Sequence, residues 1–200
     1  IEAAGESRYA FIDADTVKKC VQAVGEEKDV HLSLHTPGHG YAFNFPINPA
    51  LKEGWGITEE NLRPLNEETM AMTAKMLVFW RNLVGETQRM PERLCQKMQA
   101  ICEGKARLYI TDRGAAMQVT ALDAGKKAAV DFVRQKLNLQ IDEIAVFGDD
   151  LNDLEIIRAY PCSVAMGNAV EEIKQAAKYE TCANDQDGIA RALEMLGLVE

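Results

Sequence analysis

After residue 121, short apolar segments alternate with segments whose apolar residues recur at helical intervals, and few folds are compatible with this alternation. A helix is predicted at residues 126–137 and a short apolar strand at residues 141–147. The remaining predicted elements are helices at 151–159, 169–179 and 187–196, a strand at 163–166 and a candidate third strand at 181–183. Strands that alternate with helices in this way predict βα units, and hence an α/β fold around a parallel sheet.

The first half of the chain follows a different pattern. Its predicted elements are helices at 15–24 and 91–102 and strands at 30–34, 40–45, 75–80, 107–111 and 116–122. Helices interleaved with strands that can pair as antiparallel neighbours indicate an α+β module. The boundary is expected between residues 122 and 125. We therefore predict an α+β domain at residues 1–122 and an α/β domain at residues 123–200.

The charge balance limits the choice of partner. The chain has 31 acidic and 22 basic residues, which gives a formal net charge of −9. A nucleic-acid partner would require a basic face, so none is expected. A small phosphorylated ligand is not excluded, because a metal ion, a lysine and a helix N-terminus can hold an anion locally.

Cysteine usage and hydropathy indicate the compartment. The five cysteines form no CxxC pair and are odd in number, which favours a reduced, cytoplasmic protein with unpaired thiols. Cys95 and Cys102 are expected to be buried on a helix.

No apolar run reaches the roughly 18 residues that a membrane span needs, so no membrane partner is expected. Residues 1–6 do not resemble a signal peptide. The first residue is not Met, so we expect the chain to begin inside a longer reading frame.

An acidic loop follows the strand predicted at residues 141–147. Gly148 permits a sharp turn there, and Asp149 at the strand tip can offer a hard oxygen ligand to Mg²⁺. Asn152 suits a phosphate oxygen, and Asp153 can accept from a metal-bound water or from a lysine. The alternative is that these residues only cap the next helix. Clustered carboxylates exceed what capping requires, and they repel one another unless a cation is present.

A pair of lysines lies at the start of the helix predicted at residues 126–137. A cation at a helix N-terminus is disfavoured by the helix dipole, so Lys126 indicates an anionic partner. The alternative is that Lys126 and Lys127 are solvated surface lysines. The interval of 23 residues from Lys126 to Asp149 spans one helix and one strand, so both residues can lie at the same end of the sheet.

Four short motifs in order give the chain a family resemblance from about residue 118 to residue 196. They are GKKAAV at 125–130, FGDDLND at 147–153, VAMGNA at 164–169 and DQDGIA at 185–190. With these motifs the chain resembles the C-terminal half of a Cof-type phosphatase of the HAD superfamily. The resemblance implies part of a HAD-like Rossmannoid parallel sheet, and it implies that residues 1–122 form an α+β cap that selects the substrate.

The resemblance also implies roles for the polar residues. Lys126 would steady the phosphoryl group and the nucleophile, Asp149 would bind Mg²⁺, and Asn152 would contact phosphate. Asp153 would order the groups around the metal. In the cap, His39, Tyr41 and Arg113 are candidates for substrate contact.

The family's nucleophile motif, DxDGT at the end of an N-terminal strand, is not found. Asp13 and Asp15 have the DxD spacing, but the glycine is missing, and we interpret Asp15 as the N-cap of the helix predicted at residues 15–24. Without the motif's strand, the strand at 141–147 would have an unpaired apolar edge. We therefore expect the native protein to have an additional N-terminal segment of roughly one to three βα units, and we expect this 200-residue chain alone to show no Mg²⁺-dependent phosphatase activity.

These features give a Mg²⁺-dependent phosphomonoester hydrolase as the first functional hypothesis. It would act on a small phosphorylated metabolite, such as a sugar phosphate, through an aspartyl-phosphate intermediate. A non-catalytic module that binds a phosphorylated ligand is the second hypothesis. A phosphomutase on the same scaffold is a further alternative.

Overall fold

The computed structural model describes residues 2–3, 5–80 and 88–199. The chain divides into two compact units, Arg8–Ala124 and a second unit that joins Ile1–Ser7 to Gly125–Glu200. The predicted ranges placed the first seven residues with the α+β module, whereas they group with the C-terminal unit. Residues 1, 4, 81–87 and 200, which fall inside the predicted domain ranges, lie outside the described residues.

A short antiparallel pair, β1 (Glu2–Ala3) and β2 (Glu6–Ser7), precedes the unit Arg8–Ala124. That unit contains α1 (Ala14–Gly25), β3 (Val30–Thr36), β4 (Gly40–Phe43), α2 (Pro49–Gly54), α3 (Glu67–Ala71), β5 (Lys75–Trp80), α4 (Glu92–Cys102), β6 (Ala106–Thr111) and β7 (Ala116–Ala121). Its strands form one five-stranded antiparallel sheet in the order β4-β3-β5-β7-β6. The predicted α+β architecture of this half is confirmed, with small shifts at the ends of the elements.

The N-cap of helix α1 is two residues earlier than the Asp15 that the sequence predicts. The Asp13 carboxylate accepts hydrogen bonds from the backbone N–H and the hydroxyl of Thr16, both at 2.9 Å. These hydrogen bonds lower the pKa of Asp13. Asp15 lies in the first turn and forms an ion pair with Lys19 at 2.6 Å. The N-cap is therefore Asp13, because its side chain reaches the N–H three residues ahead.

Helices α1 and α4 pack together over one face of the sheet, which forms the core of this unit. Alternate residues of β3, β5 and β7 point to that face, as the period of two of a strand requires. The fully buried members include Val17, Cys20, Leu32, Leu34, Met76, Val78, Met98, Met117 and Val119. Cys95 and Cys102 are also buried, as predicted, and all five cysteines are free thiols.

The other face of β3 and β4 carries histidine and aromatic side chains. The rings of His31 and Phe45 stack with their centroids 4.0 Å apart, and those of His35 and Tyr41 meet edge to face at 4.9 Å. Ser33 Oγ lies 3.0 Å from His35 Nε2. Burial, reinforced by the charge of Lys75, lowers the pKa of His35 to about 4. His35 is therefore neutral at neutral pH and belongs to this packed layer.

The second unit is the predicted α/β part. It contains α5 (Lys126–Lys136), β8 (Ala145–Gly148), α6 (Leu154–Ala159), β9 (Cys162–Ala165), α7 (Glu171–Ala176), β10 (Tyr179–Glu180) and α8 (Gly188–Met195). The strands form a parallel sheet in the order β10-β9-β8. Its core is formed by Val146, Ile156, Ile157, Tyr160, Ala165 and Ile173.

Two predicted strands of this unit have different bounds in the structure. Residues Ile141–Glu143 form a 3₁₀ turn instead of the start of β8, because the Glu143 carboxylate accepts from the backbone N–H of Gln140 at 2.7 Å. The third strand is Tyr179–Glu180 and not residues 181–183, although Thr181 N still donates to Ala165 O at 3.0 Å. Over the described residues, the structure contains no helix with the length and apolar character of a membrane span.

Truncation of Met98 tests the core between α4 and the sheet. Met98 is completely buried, so Met98→Ala should lower the free energy of unfolding by about 2–5 kcal/mol in urea titrations. The neighbouring Gln99→Ala removes an exposed side chain and is the matched control, expected to change stability by less than about 0.5 kcal/mol. Equal stability of the two variants would contradict this packing.

Candidate functional site

The candidate site lies beyond the carboxyl ends of β8 and β9. The two strands are parallel neighbours and end in register, with Gly148 opposite Ala165. The loops that follow them, residues 149–153 and 166–170, therefore leave the sheet at the same edge. Ligands of open α/β sheets bind at this edge. The structure brings Lys126, Asp149, Asn152 and Asp153 together there.

Asp153 is the buried centre of this arrangement, with a relative exposure of 2%. Its Oδ1 forms an ion pair with Lys126 Nζ. Its Oδ2 accepts from Asp149 N at 3.1 Å, with a longer contact of 3.5 Å from Asp150 N. A carboxylate out of water needs such partners, since an unpaired buried charge is strongly destabilising. Asp153 thereby joins the N-terminus of α5 to the loop after β8.

The other two acidic residues of the loop have different surroundings. Asp150 is an N-cap, because its Oδ1 accepts from Leu151 N at 2.7 Å. Asp149 is exposed, and its Oδ2 accepts from Asn168 Nδ2 at 3.1 Å. The capping alternative raised by the sequence thus describes Asp150, whereas Asp149 presents its carboxylate to solvent.

Asn152 is half-buried in the 3₁₀ turn Leu151–Asp153. Within the described ranges its side-chain amide makes no hydrogen bond to the protein. A half-buried amide in the loop that follows a parallel strand can donate to an anionic ligand.

Gly148 is required for the close approach of Asp153 to β8. A Cβ atom at Gly148 would lie 2.6 Å from Asp153 Cβ and 3.0 Å from Ile157 Cγ1. Both distances are shorter than ordinary van der Waals contact. The glycine therefore lets the buried carboxylate fold back onto the strand and reach the N–H of Asp149.

A second polar contact fixes α5 against α6. Lys127 Nζ donates to Asp131 Oδ2 at 2.6 Å, and Tyr160 OH donates to Asp131 Oδ1 at 2.8 Å. These hydrogen bonds lower the pKa of Asp131. Burial, together with the hydrogen bond to Asp131, raises the pKa of Tyr160 to about 12. Adjacent lysines thus have separate carboxylates, and Lys126 alone is directed to the loop after β8.

Asn168 was not singled out from the sequence, although its motif at 164–169 was. Its Nδ2 donates to Asp149 Oδ2, and its Oδ1 accepts from Asn184 N at 3.0 Å. No local pattern signals these contacts, because they join residues 19 and 16 positions apart.

The predicted cap residues do not form one cluster. His39 lies in the turn between β3 and β4 with φ of 56°, and Tyr41 lies on β4. Arg113, also with φ of 56°, lies in the turn between β6 and β7. Strands β4 and β6 are the opposite edges of the five-stranded sheet. A shared contact of all three with one small ligand remains a prediction.

The donor set in the described part of the chain suits a metal ion held by few protein ligands. No group of three or more His, Cys, Asp or Glu side chains is placed to enclose a metal ion there. Mg²⁺ is commonly bound by one or two carboxylates, with waters and phosphate oxygens completing its shell. The exposed Asp149 carboxylate meets that requirement.

Comparison with known proteins gives a match over most of the chain. The family model described as haloacid dehalogenase-like hydrolase matches residues 6–193. Among solved structures, the subclass IIB sugar phosphatase BT4131 superposes with a TM-score of 0.71 at 22% identity, covering 95% of this chain and 69% of that one. BT1666 from Bacteroides thetaiotaomicron gives 0.66 at 21% identity, covering 96% and 68%. At these identities the likeness concerns the fold.

Curated relatives match over shorter stretches. A phosphatase of Haemophilus influenzae, named as putative, is 42% identical over 78 residues, which are 39% of this chain and 30% of the relative. The phosphoglycolate phosphatase of Archaeoglobus fulgidus is 34% identical over 90 residues, which are 45% and 40%. The matched stretch thus spans less than half the length of these relatives.

Substitution of Gly148 tests the contact between Asp153 and β8. Gly148→Ala should lower the free energy of unfolding by about 1–3 kcal/mol, because the added methyl group displaces Asp153, and it should shift the amide NMR signals of Asp149 and Asp150. Gly25→Ala is the control, since nothing lies within 4 Å of a Cβ there, and it should be neutral or stabilising by about 0.5–1 kcal/mol. An unchanged Gly148→Ala variant would show that Asp153 does not approach the strand this closely.

Proposed function

Since the chain belongs to the haloacid dehalogenase-like hydrolase family, we propose that it contributes the lysine, the metal-binding carboxylate and the phosphate-binding amide of a phosphomonoester hydrolase. The substrate class is a small phosphorylated metabolite, such as a sugar phosphate. The observation that carries this proposal is the Asp153 carboxylate, which holds Lys126 and the backbone of Asp149 at one end of the parallel sheet.

Lys126 is the cationic side chain of the proposed site. Its side chain is about half exposed, with a relative exposure of 52%, while its partner Asp153 is buried. Asp153 therefore fixes the position of the ammonium group, while about half of the lysine side chain stays exposed to solvent. A preorganised cation of this kind stabilises the negative charge that spreads over the phosphoryl oxygens during transfer.

Asp149 is the proposed Mg²⁺ ligand and Asn152 the proposed phosphate donor. The exposed carboxylate of Asp149 is a hard oxygen donor at the strand end, and its orientation is held by Asn168. When bound, Mg²⁺ would neutralise charge on the phosphoryl oxygens. The amide of Asn152 would donate to one of those oxygens, and Asp153 would keep Lys126 and the loop in place.

The proposed aspartyl-phosphate intermediate needs a further carboxylate. Asp13 caps α1 and Asp15 pairs with Lys19, so both have structural roles in the unit Arg8–Ala124. Among the described strands, β8 is paired on one side only. We propose that the nucleophile comes from a strand that pairs with the other side of β8 and precedes residue 1 in the native protein. The unit Arg8–Ala124 would then act as the cap that selects the substrate.

A non-catalytic phosphate-binding module is the competing function. It is favoured because the two aspartates with the DxD spacing already have structural roles: Asp13 caps α1 and Asp15 pairs with Lys19. The two functions differ in whether a phosphomonoester is cleaved or only bound.

The proposal is tested by comparing the 200-residue chain with the full protein encoded by its gene, using p-nitrophenyl phosphate and a panel of sugar phosphates with and without Mg²⁺. The chain alone should show no turnover, and the full protein should hydrolyse phosphomonoesters only with Mg²⁺. In the full protein, Lys126→Ala should lower kcat/KM by at least about 100-fold, since it removes a charge that stabilises the transition state.

Lys127→Ala provides the matched control, because Lys127 binds Asp131 and not the loop after β8. Its kcat/KM should stay close to that of the wild type. Robust turnover by the chain alone would contradict the proposed origin of the nucleophile and favour Asp13. Phosphate binding without hydrolysis by the full protein would favour the binding module.

A further inference from the structure

Asn168 links the Asp149 carboxylate to a separate loop of the same unit. It follows β9 in the chain, and its side chain spans between Asp149 Oδ2 at 3.1 Å and Asn184 N at 3.0 Å. The backbone of Asp149 is held independently, since Val170 N donates to Asp149 O at 2.9 Å. Asp149 is therefore restrained through its side chain and through its main chain by the same loop.

The chemistry of the two partners fixes the orientation of the amide. An ionised carboxylate only accepts hydrogen bonds, and a backbone N–H only donates. Both contacts are satisfied only when Nδ2 faces Asp149 and Oδ1 faces Asn184. An aspartate at this position would place a second negative charge against Asp149, and an aliphatic side chain would make neither hydrogen bond.

The loop that anchors Asn168 is itself tightly held. Gln186 N and Gly188 N both donate to Ala183 O, at 3.0 and 3.2 Å. Next to Asn168, Gly167 N donates to Cys182 O at 3.1 Å, and a Cβ atom at Gly167 would lie 2.6 Å from Ala183 N. The backbones on both sides of the Asn168–Asn184 hydrogen bond are thus in direct contact, so Asn184 N is a fixed donor.

We propose that Asn168 is a positioning residue, which orients the Asp149 carboxylate for a divalent cation and is itself oriented by the backbone N–H of Asn184. Within the described part of the chain, the hydrogen bond to Asn168 engages Oδ2 and leaves Oδ1 as the oxygen available for the cation. The inference rests on the proposed function, because it takes Asp149 as a cation ligand. Hydrogen-bond partners of metal ligands act in this way by reducing the reorganisation that binding requires.

Asn184 offers a matched pair of variants, because only its backbone contacts Asn168. Asn184→Ala keeps the N–H and removes an exposed side chain, whereas Asn184→Pro removes the N–H. Proline is compatible with this position, since Asn184 is the first residue of a 3₁₀ turn and the preceding Ala183 is extended, with φ of −66° and ψ of 164°. The two variants therefore differ in one hydrogen bond.

The test uses the full protein encoded by the gene, with Mn²⁺ as the probe, its affinity measured by electron paramagnetic resonance and its location by broadening of amide NMR signals. The wild type should show broadening centred on residues 149–153. Asn168→Ala and Asn184→Pro should each weaken Mn²⁺ binding, Asn168→Ala by about tenfold, while Asn184→Ala binds like the wild type. The double variant Asn168→Ala/Asn184→Pro should be no weaker than Asn168→Ala alone, because both changes break the same link.

Asp149→Asn separates this inference from the proposed function. If Asp149→Asn loses Mn²⁺ while Asn168→Ala and Asn184→Pro bind like the wild type, the positioning role is overturned and the proposed function stands. If Mn²⁺ does not bind at residues 149–153 of the wild type, both are overturned. A loss of binding by Asn184→Ala equal to that of Asn184→Pro would also overturn the role, because it would place the effect in the side chain.

Discussion

The ion pair between Asp153 and Lys126 is the interaction on which the candidate site depends. Asp153 is buried, so its charge needs compensation inside the protein. It receives this from Lys126 through one oxygen and from the backbone of Asp149 through the other. The loop after β8 and the N-terminus of α5 are thereby held together by one carboxylate. Gly148 is needed for the same reason, because any side chain there would push Asp153 away from the strand.

The other polar residues around this ion pair each have their own hydrogen-bond partner. Asp150 caps the turn that carries Asn152 and Asp153. The Asp131 carboxylate accepts hydrogen bonds from Lys127 and from Tyr160, and so connects α5 to the end of α6. Asn168 orients Asp149. Asp149 is the acidic residue of the loop that still faces solvent, which is where the proposed cation would bind.

Much of the fold could be predicted from hydrophobic periodicity, and the errors have local causes. The predicted strand began at Ile141, but the acidic Asp142 and Glu143 follow it, and the hydrogen bond from Gln140 N to Glu143 turns the backbone before β8 begins. Asp13 and Asp15 both precede the buried apolar residues of α1, and the local preference of aspartate for an N-cap does not distinguish them. The deciding factor is the distance from Asp13 to Thr16, which only the folded backbone specifies.

From the sequence, the candidate site could be predicted only where the order of helices and strands shows which residues lie at the same end of the sheet. The interval between Lys126 and Asp149 indicated that they share one end of the sheet, because one helix and one strand separate them. The contacts of Asn168 with Asp149 and Asn184, and of Asp131 with Tyr160, join loops and helices that are distant in sequence. A local pattern in one sequence does not specify such tertiary contacts. They appear once the strands are placed side by side.

The most direct test of this account is a double-mutant cycle between Lys126→Met and Asp153→Asn, measured as the free energy of unfolding in urea at low ionic strength. Solvent screening at the half-exposed Lys126 weakens the ion pair, whereas the Asp153 side chain is buried and is screened much less. The account predicts that the two substitutions interact by about 1 kcal/mol or more, with Asp153→Asn the more destabilising single change. Effects that add to within about 0.3–0.5 kcal/mol would contradict it, because they would show that Lys126 and Asp153 do not depend on each other.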